Sequence, residues 1–219
     1  MYDAIQRITA QPLNRYVTDN FYRPLGLPTM GYLPLQRFPK NRIAPTERDT
    51  VFRNQVIRGY VHDPGAAMLG GVCGHAGLFS DATDLAVIMQ MLLWNGYYGG
   101  KQYFDPATVH EFTKQQFPLD RNRRGICFDK PYPEYDSLGP CCRAASLRSF
   151  GHSGFTGTYT WADPENNLLY VFLSNRVFPD ASNIKIVELN IRTQIHQAMY
   201  DILNEQNRKK LLYLKNIHR

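Results

Sequence analysis

From Ile184 onward the apolar residues Ile184, Val187, Ile191, Ile195, Ala198 and Ile202 recur at steps of 3, 4, 4, 3 and 4. That period is the stripe of a helix, not the alternation of a strand. A stripe of this kind has to lie on something flat, and the sequence just before it supplies a sheet. Thr156 to Ala162 and Leu168 to Ser174 are rich in β-formers and are separated by Asp163-Pro164-Glu165-Asn166-Asn167, a turn-forming run. Together they predict an antiparallel hairpin. Arg148 to Ser153 predicts a third strand beside it. The expected class is therefore α+β: an antiparallel sheet covered by a long C-terminal helix, with a helical and irregular region before it.

Two further helices are written upstream. Ser80 to Trp94 opens on Ser80, Asp81, Thr83 and Asp84, which can cap, runs through Leu85, Ile88, Met89 and Leu92, and stops at Asn95-Gly96. Leu13 to Tyr22 predicts a shorter helix ended by Arg23-Pro24-Leu25-Gly26, because proline cannot continue the hydrogen-bond ladder. Between Pro28 and Asp63 prolines are many and periodic signals few, so the expectation there is a long irregular excursion of the sort that often borders a site.

With 219 residues and 43% hydrophobic content, the chain can bury one sizeable core and is not a disordered chain. No apolar run approaches the roughly 20 residues needed to span a bilayer, and no leader pattern opens the sequence. The net charge of +6 is concentrated at the end, where Arg208, Lys209, Lys210, Lys215 and Arg219 face Glu205 alone. The remaining excess is too small and scattered for a nucleic-acid surface, and no nucleic-acid partner is expected. Cys73, Cys127, Cys141 and Cys142 show no Cys-x-x-Cys spacing, so neither a zinc ribbon nor a thioredoxin-type pair is present.

The residues with most chemical potential are Gly151-His152-Ser153-Gly154-Phe155-Thr156-Gly157-Thr158, at the junction of two expected strands. Glycines there allow a backbone or a ligand to approach closely. Two readings stand: a tight strand connection with His152 at the surface, or a functional edge in which Ser153 and His152 act. Ser153 does not sit in an α/β-hydrolase elbow, because Phe155 occupies the position that Gly-x-Ser-x-Gly reserves for glycine.

These motifs, taken together, resemble the serine β-lactamase, penicillin-binding-protein and esterase family in its class C-like branch. Pro12-Leu13 through Phe21-Tyr22-Arg23-Pro24-Leu25-Gly26-Leu27 is similar to the family's helix ending in a "Pro-Leu-Gly-Met" type turn. Gly77-Leu78-Phe79-Ser80-Asp81-Ala82-Thr83-Asp84-Leu85-Ala86 is similar to its "Gly-Gly-Leu-x-Ser-Thr-Ala-x-Asp-Leu" lead into a helix. Gly151-His152-Ser153-Gly154, with Asp163-Pro164, Phe172-Leu173-Ser174-Asn175-Arg176 and a closing helix after it, is similar to its third motif, a Lys-Thr-Gly or His-x-Gly strand, and the region downstream of that strand. His62-Asp63-Pro64 and Gly74-His75-Ala76-Gly77-Leu78-Phe79 are most similar to bacterial members that can be fused behind family 3 glycoside hydrolases.

The resemblance implies a partial β-lactamase/transpeptidase-like fold and, for residues 1–219, a single truncated domain without the first two catalytic motifs. The family attacks carbonyls with the Ser of Ser-x-x-Lys, assisted by that Lys and by the Tyr of Tyr-x-Asn, both ahead of the Pro-Leu-Gly turn. No Tyr-x-Asn occurs here, and the single Ser-x-x-Lys, Ser182 to Lys185, falls after the third motif, where chance is its simplest explanation. By resemblance His152 stands where the family's Lys or His supports the catalytic Tyr and the substrate, Ser153 hydrogen-bonds substrate, Gly154 keeps the strand clear, and the Phe155 N–H is one of two oxyanion donors. His75, Thr156, Asn175 and Arg176 are expected to border the substrate.

The implied function is the C-terminal part of a serine hydrolase acting on amide, lactam or ester bonds through an acyl-enzyme, inactive alone. Its expected partners are a small-molecule or peptidoglycan-like substrate and the missing N-terminal segment of the same domain. Without that segment an exposed apolar seam and self-association are expected. The alternative is a non-catalytic binding or interaction module derived from the same fold. No cofactor is implied. His62, Asp63, Cys73 and His75 are of metal-binding types, but their spacing fits no standard site, and no metal is expected. The resemblance alone favours a periplasmic or secreted setting.

Overall fold

The computed structural model describes residues 2–118 and 122–217. Helix α1 spans Tyr2–Thr9, and α2, Leu13–Val17, runs on into a π-helical turn over Thr18–Tyr22 before Pro24 ends it. Strands β1 (Pro45–Asp49) and β2 (Gln55–Arg58) form an antiparallel pair, with α3 (Pro64–Met68) and α4 (Ala82–Leu93) after them. Two-residue strands β3 (Tyr97–Tyr98) and β4 (Lys101–Gln102) precede α5 (Pro106–Thr113). The main sheet is β5 (Phe150–Ser153), β6 (Tyr159–Asp163) and β7 (Leu168–Phe172), in the order β5-β6-β7 and antiparallel throughout. Short α6 (Lys185–Glu188) and long α7 (Ile191–Ile217) close the described chain.

The expected meander and hairpin are therefore present, and alternation along them explains how the sheet is covered on both faces. Phe150, Ala162 and Leu169 face α4, where they pack with Met89 and Leu93. Tyr159, Trp161 and Tyr170 face α7, where they pack with Ile195 and His196. Trp161 pairs opposite Gly151. A side chain at Gly151 would meet the Thr160 carbonyl at 2.2 Å and Trp161 Cε3 at 2.4 Å, so glycine is what lets the indole lie across β5. Burying an aromatic of this size is worth roughly 2 to 3 kcal/mol.

Helix α4 begins where expected. Asp81 caps it by accepting from the Asp84 N–H at 2.9 Å. Asp84 is itself buried, accepting from the Thr29 N–H and hydroxyl at 2.7 Å and the Met30 N–H at 2.9 Å. Those bonds tie the loop after Pro28 to the start of α4.

Two expectations are corrected. The segment from Pro28 to Asp63 is not simply irregular, because it holds the β1–β2 pair. Its apolar alternation is weak since polar side chains do the holding: Asp49 accepts the N–H groups of Val51, Phe52 and Arg53 at 2.8 to 3.0 Å, and Arg53 Nε at 2.7 Å. Burial is also misassigned along the C-terminal stripe. Asn190, at φ +49°, separates α6 from α7, so residues before it do not continue the phase of those after it. Ile184, Val187 and Ile202 are 47%, 48% and 54% exposed, whereas His196 and Tyr200 are each 1% exposed. Helix α7 covers the sheet, but through Ile195, His196 and Tyr200.

A single carboxylate locks this arrangement. Asp163, at the end of β6, accepts from the Tyr200 hydroxyl at 2.6 Å, the Ser146 hydroxyl at 2.6 Å and N–H at 2.9 Å, and Asn166 Nδ2 at 2.9 Å. Burial raises its proton affinity, but these donors outweigh it and hold the carboxyl below the usual carboxylate range.

Candidate active-site wall

Strand β5 ends at His152 and Ser153, opposite Thr160 and Tyr159. The chain then turns over Gly154–Gly157, with Gly154 N–H on the Thr158 carbonyl at 2.8 Å and Gly157 N–H on the Gly154 carbonyl at 3.0 Å. Gly157 sits at φ +113°, where a side chain would be strained, and a Cβ at Gly154 would lie 2.2 Å from Thr158 Oγ1, which would have to turn away to admit it. Among the described residues the Phe155 N–H has no hydrogen-bond partner.

The outer edge of β5 is paired at one point. Gly151 exchanges N–H and C=O bonds with Asp129 at 3.1 and 2.7 Å. By strand alternation Ser153, two residues on, also turns its backbone outward, and no strand pairs with it there among the described residues. Asp129 is held by Arg123 Nη2 at 2.8 Å. Lys130, buried beside it, donates to the Ser149 carbonyl at 2.9 Å and anchors the approach to β5. Burial, and then the neighbouring Arg148 charge, lower its pKa to about 8.

His152 is exposed, with Nδ1 2.8 Å from the Ser153 carbonyl and Nε2 3.4 Å from Arg124 Nη1. A carbonyl only accepts and a guanidinium only donates, so the two contacts together select the Nδ1–H tautomer. Neither ring nitrogen is directed to the Ser153 hydroxyl, which makes no hydrogen bond among the described residues. Ser182 and Lys185 are both exposed, share no hydrogen bond among the described residues, and form no activated pair.

Arg176 and Thr156 belong to this wall. Arg176 donates from its backbone to the Thr156 carbonyl at 2.7 Å and from Nε to the Phe155 carbonyl at 2.9 Å, with its guanidinium 4.5 Å from the Phe155 ring centroid. Asn175 turns the other way, donating from Nδ2 to the carbonyls of Pro45 and, at 3.0 Å, Thr46. His75 contacts Asp63, not the β5–β6 turn, with Nε2 2.9 Å from Oδ1. Asp63 caps α3 through the Ala66 N–H at 2.7 Å, and that bond first, then His75, holds its carboxyl below the usual range. Cys73 is buried among Val61 and Ala66, and among the described residues no three of His62, Asp63, Cys73 and His75 form a group that could hold a metal ion. Cys141 and Cys142 are buried too, and burial pushes their thiols up to about 12 and about 11. They are protonated and inert.

One contributor to the wall is marked in the sequence only as a metal-binding residue type and as part of the His62-Asp63-Pro64 resemblance, not as a neighbour of the β5–β6 turn. The ring of His62 lies 5.0 Å from that of Phe155, and its Nε2 is 3.3 Å from Glu47 Oε2.

Helices α4 and α7 on opposite faces of the three-stranded sheet make a helix–sheet–helix sandwich, with the β5–β6 turn at its edge. Residues 2–191 match the family described as Beta-lactamase, and the chain belongs to that family. A β-lactamase from Mycobacterium bovis aligns with TM-score 0.59 and 21% identity over 92% of this chain and 60% of its own. Simvastatin synthase from Aspergillus terreus aligns with TM-score 0.62 and 18% identity over 91% of this chain and 52% of its own. At these identities both likenesses concern the fold alone. A Salmonella paratyphi B protein described as "Putative D-alanyl-D-alanine carboxypeptidase" is 40% identical over 199 residues, 83% of this chain and 44% of that protein. The chain thus spans less than half the length of the curated relatives it matches.

Proposed function

We propose that this chain supplies the strand-and-oxyanion wall of a serine hydrolase that cleaves amide or ester carbonyls through an acyl-enzyme, with D-alanyl-D-alanine-type peptide ends as substrate class. The observation that carries the reading is the open end of β5, where Ser153 turns its backbone outward beside the unpartnered Phe155 N–H. An extended peptide can add to such an edge, and a fixed N–H can meet the negative charge that develops on its carbonyl oxygen. Gly154 keeps the edge clear, while His152 and Ser153 offer polar groups alongside.

The nucleophile comes from a segment outside these residues, because no Tyr-x-Asn occurs and Ser182 lacks an activated Lys partner. We assign the same segment to the outer edge of β7, which is open in the sheet order β5-β6-β7. A fluorophosphonate or penicillin-type probe should leave the 219-residue chain unlabelled and label a longer polypeptide that carries it, at a serine outside this stretch. Stoichiometric labelling at Ser153 or Ser182 would sink this assignment of roles. A longer polypeptide that stays unlabelled would favour a non-catalytic binding module.

A further inference from the structure

We propose that His62 is a positioning residue for the β5–β6 turn, holding Phe155 so that its N–H keeps one direction. The proposal rests on the oxyanion role just given to that N–H.

Phe155 is 65% exposed, so burial does not fix its ring. What fixes it is contact with two groups, Arg176 at 4.5 Å and His62 at 5.0 Å from the ring centroid. Arg176 is bound to the turn itself through the Phe155 and Thr156 carbonyls. It also donates to the Ala181 carbonyl at 3.1 Å, in the segment between β7 and α6. His62 belongs to the region of the β1–β2 pair and gives the ring an outside reference.

The footing beneath His62 is unusually firm. Glu47 Oε2 lies 3.3 Å from the imidazole Nε2, and Glu47 is in turn bound by Arg53. Arg53 also donates to Asp49 Oδ2 at 2.7 Å, to the Val61 carbonyl at 2.7 Å and to the His62 carbonyl at 2.9 Å. Both ends of His62, backbone and ring, are thus tied to one knot of charges. The side chains of Glu47, Asp49 and Arg53 are only 14%, 6% and 11% exposed. Such a withdrawn ion cluster is a weak source of stability, since desolvation offsets most of the attraction. It does provide rigidity, and the knot reaches the β5–β6 turn through His62.

The turn converts a fixed ring into a fixed donor. In a trans amide the C=O and N–H point in opposite directions. The Gly154 carbonyl accepts from Gly157, so the Phe155 N–H on the same peptide unit is aimed out of the turn. Rocking of the Phe155 side chain is transmitted through its Cα to that peptide plane. A donor off by a fraction of an ångström stabilises a developing oxyanion poorly.

The test uses His62→Ala and His62→Phe, the second keeping an aromatic ring against Phe155 while dropping the Glu47 bond. In the 219-residue chain, amide ¹⁵N relaxation should give rigid values across residues 154–157. His62→Ala should lower the order parameters of Phe155 and Thr156 to below about 0.6 with β5 and β6 unchanged, and His62→Phe should restore them. In a longer polypeptide with hydrolase activity, His62→Ala should reduce kcat about tenfold with little change in KM, again rescued by Phe. Unchanged order in the turn, or a fall in thermal midpoint and activity that Phe fails to rescue, would overturn the proposal. If the longer polypeptide hydrolyses nothing, the hydrolase reading falls, and the relaxation measurement still decides whether His62 holds the turn.

Discussion

His196 shows how much a single residue can carry in this fold. It is 1% exposed, stacked on Tyr170 at 4.9 Å, with Nδ1 3.4 Å from the Tyr159 hydroxyl. Burial lowers its pKa to about 4, partly countered by Asp163, so the imidazole is neutral in the native protein. In the unfolded chain it takes up a proton near its ordinary value of 6.5. The unfolded state therefore binds more protons between pH 6.5 and 4. Its contribution is full above pH 6.5 and is lost as the pH falls toward 4, amounting to about 3 kcal/mol. Denaturant midpoints measured across that window should show the loss in the native sequence, and His196→Phe should flatten the slope there. A slope unchanged by that substitution would mean the acid sensitivity comes from elsewhere, with the donor-held Asp163 the next group to test.

At the scale of elements, the helix α7 separates what the sequence makes legible from what it hides. Its existence and its cover over the sheet come from a period near 3.6, and the strands beneath it from β-former runs and the turn at Asp163-Pro164. The phase of its buried face has no such signal. His196 and Tyr200 count as polar in a hydropathy pattern, yet they bring large apolar bodies, and their polar atoms find Tyr159 and Asp163 inside. Tyr200→Phe should thus cost about 1 to 2 kcal/mol by removing a bond to a buried carboxylate. Ile202→Ala should change stability by less than about 0.5 kcal/mol, as expected of an exposed position. Equal losses from the two in urea unfolding would show that the apolar stripe, not the aromatic one, meets the sheet. The candidate site divides in the same way. Gly151 to Phe155 is contiguous and marked by glycines, so it can be found from sequence. His62 reaches Phe155 only through space, with Glu47 and Arg53 behind it, and although His62-Asp63-Pro64 stands out as a motif, no local pattern points it at that turn.

Across the whole molecule, one side chain joins regions far apart in the chain: Asn175, just past β7, donates to the carbonyl of Pro45, 130 residues earlier. The pairings inside the main sheet are short-range in sequence by comparison, and residues from β5 through the first turns of α7 make that sheet and the aromatic cover on one face. Closing so long a loop has an entropic cost that only contacts already formed can offset. Assembly consequently has an order. The expected order is that the sheet forms first as a local unit and the β1–β2 pair docks onto it afterwards, completing the surroundings of Phe155 at the end. Pulsed hydrogen exchange during refolding should find β5 to β7 protected before β1 and β2, and simultaneous protection would contradict that order. In a growing chain, Pro45 leaves the ribosome long before Asn175 is made, so the surroundings of the β5–β6 turn are finished only once most of this stretch has been synthesised.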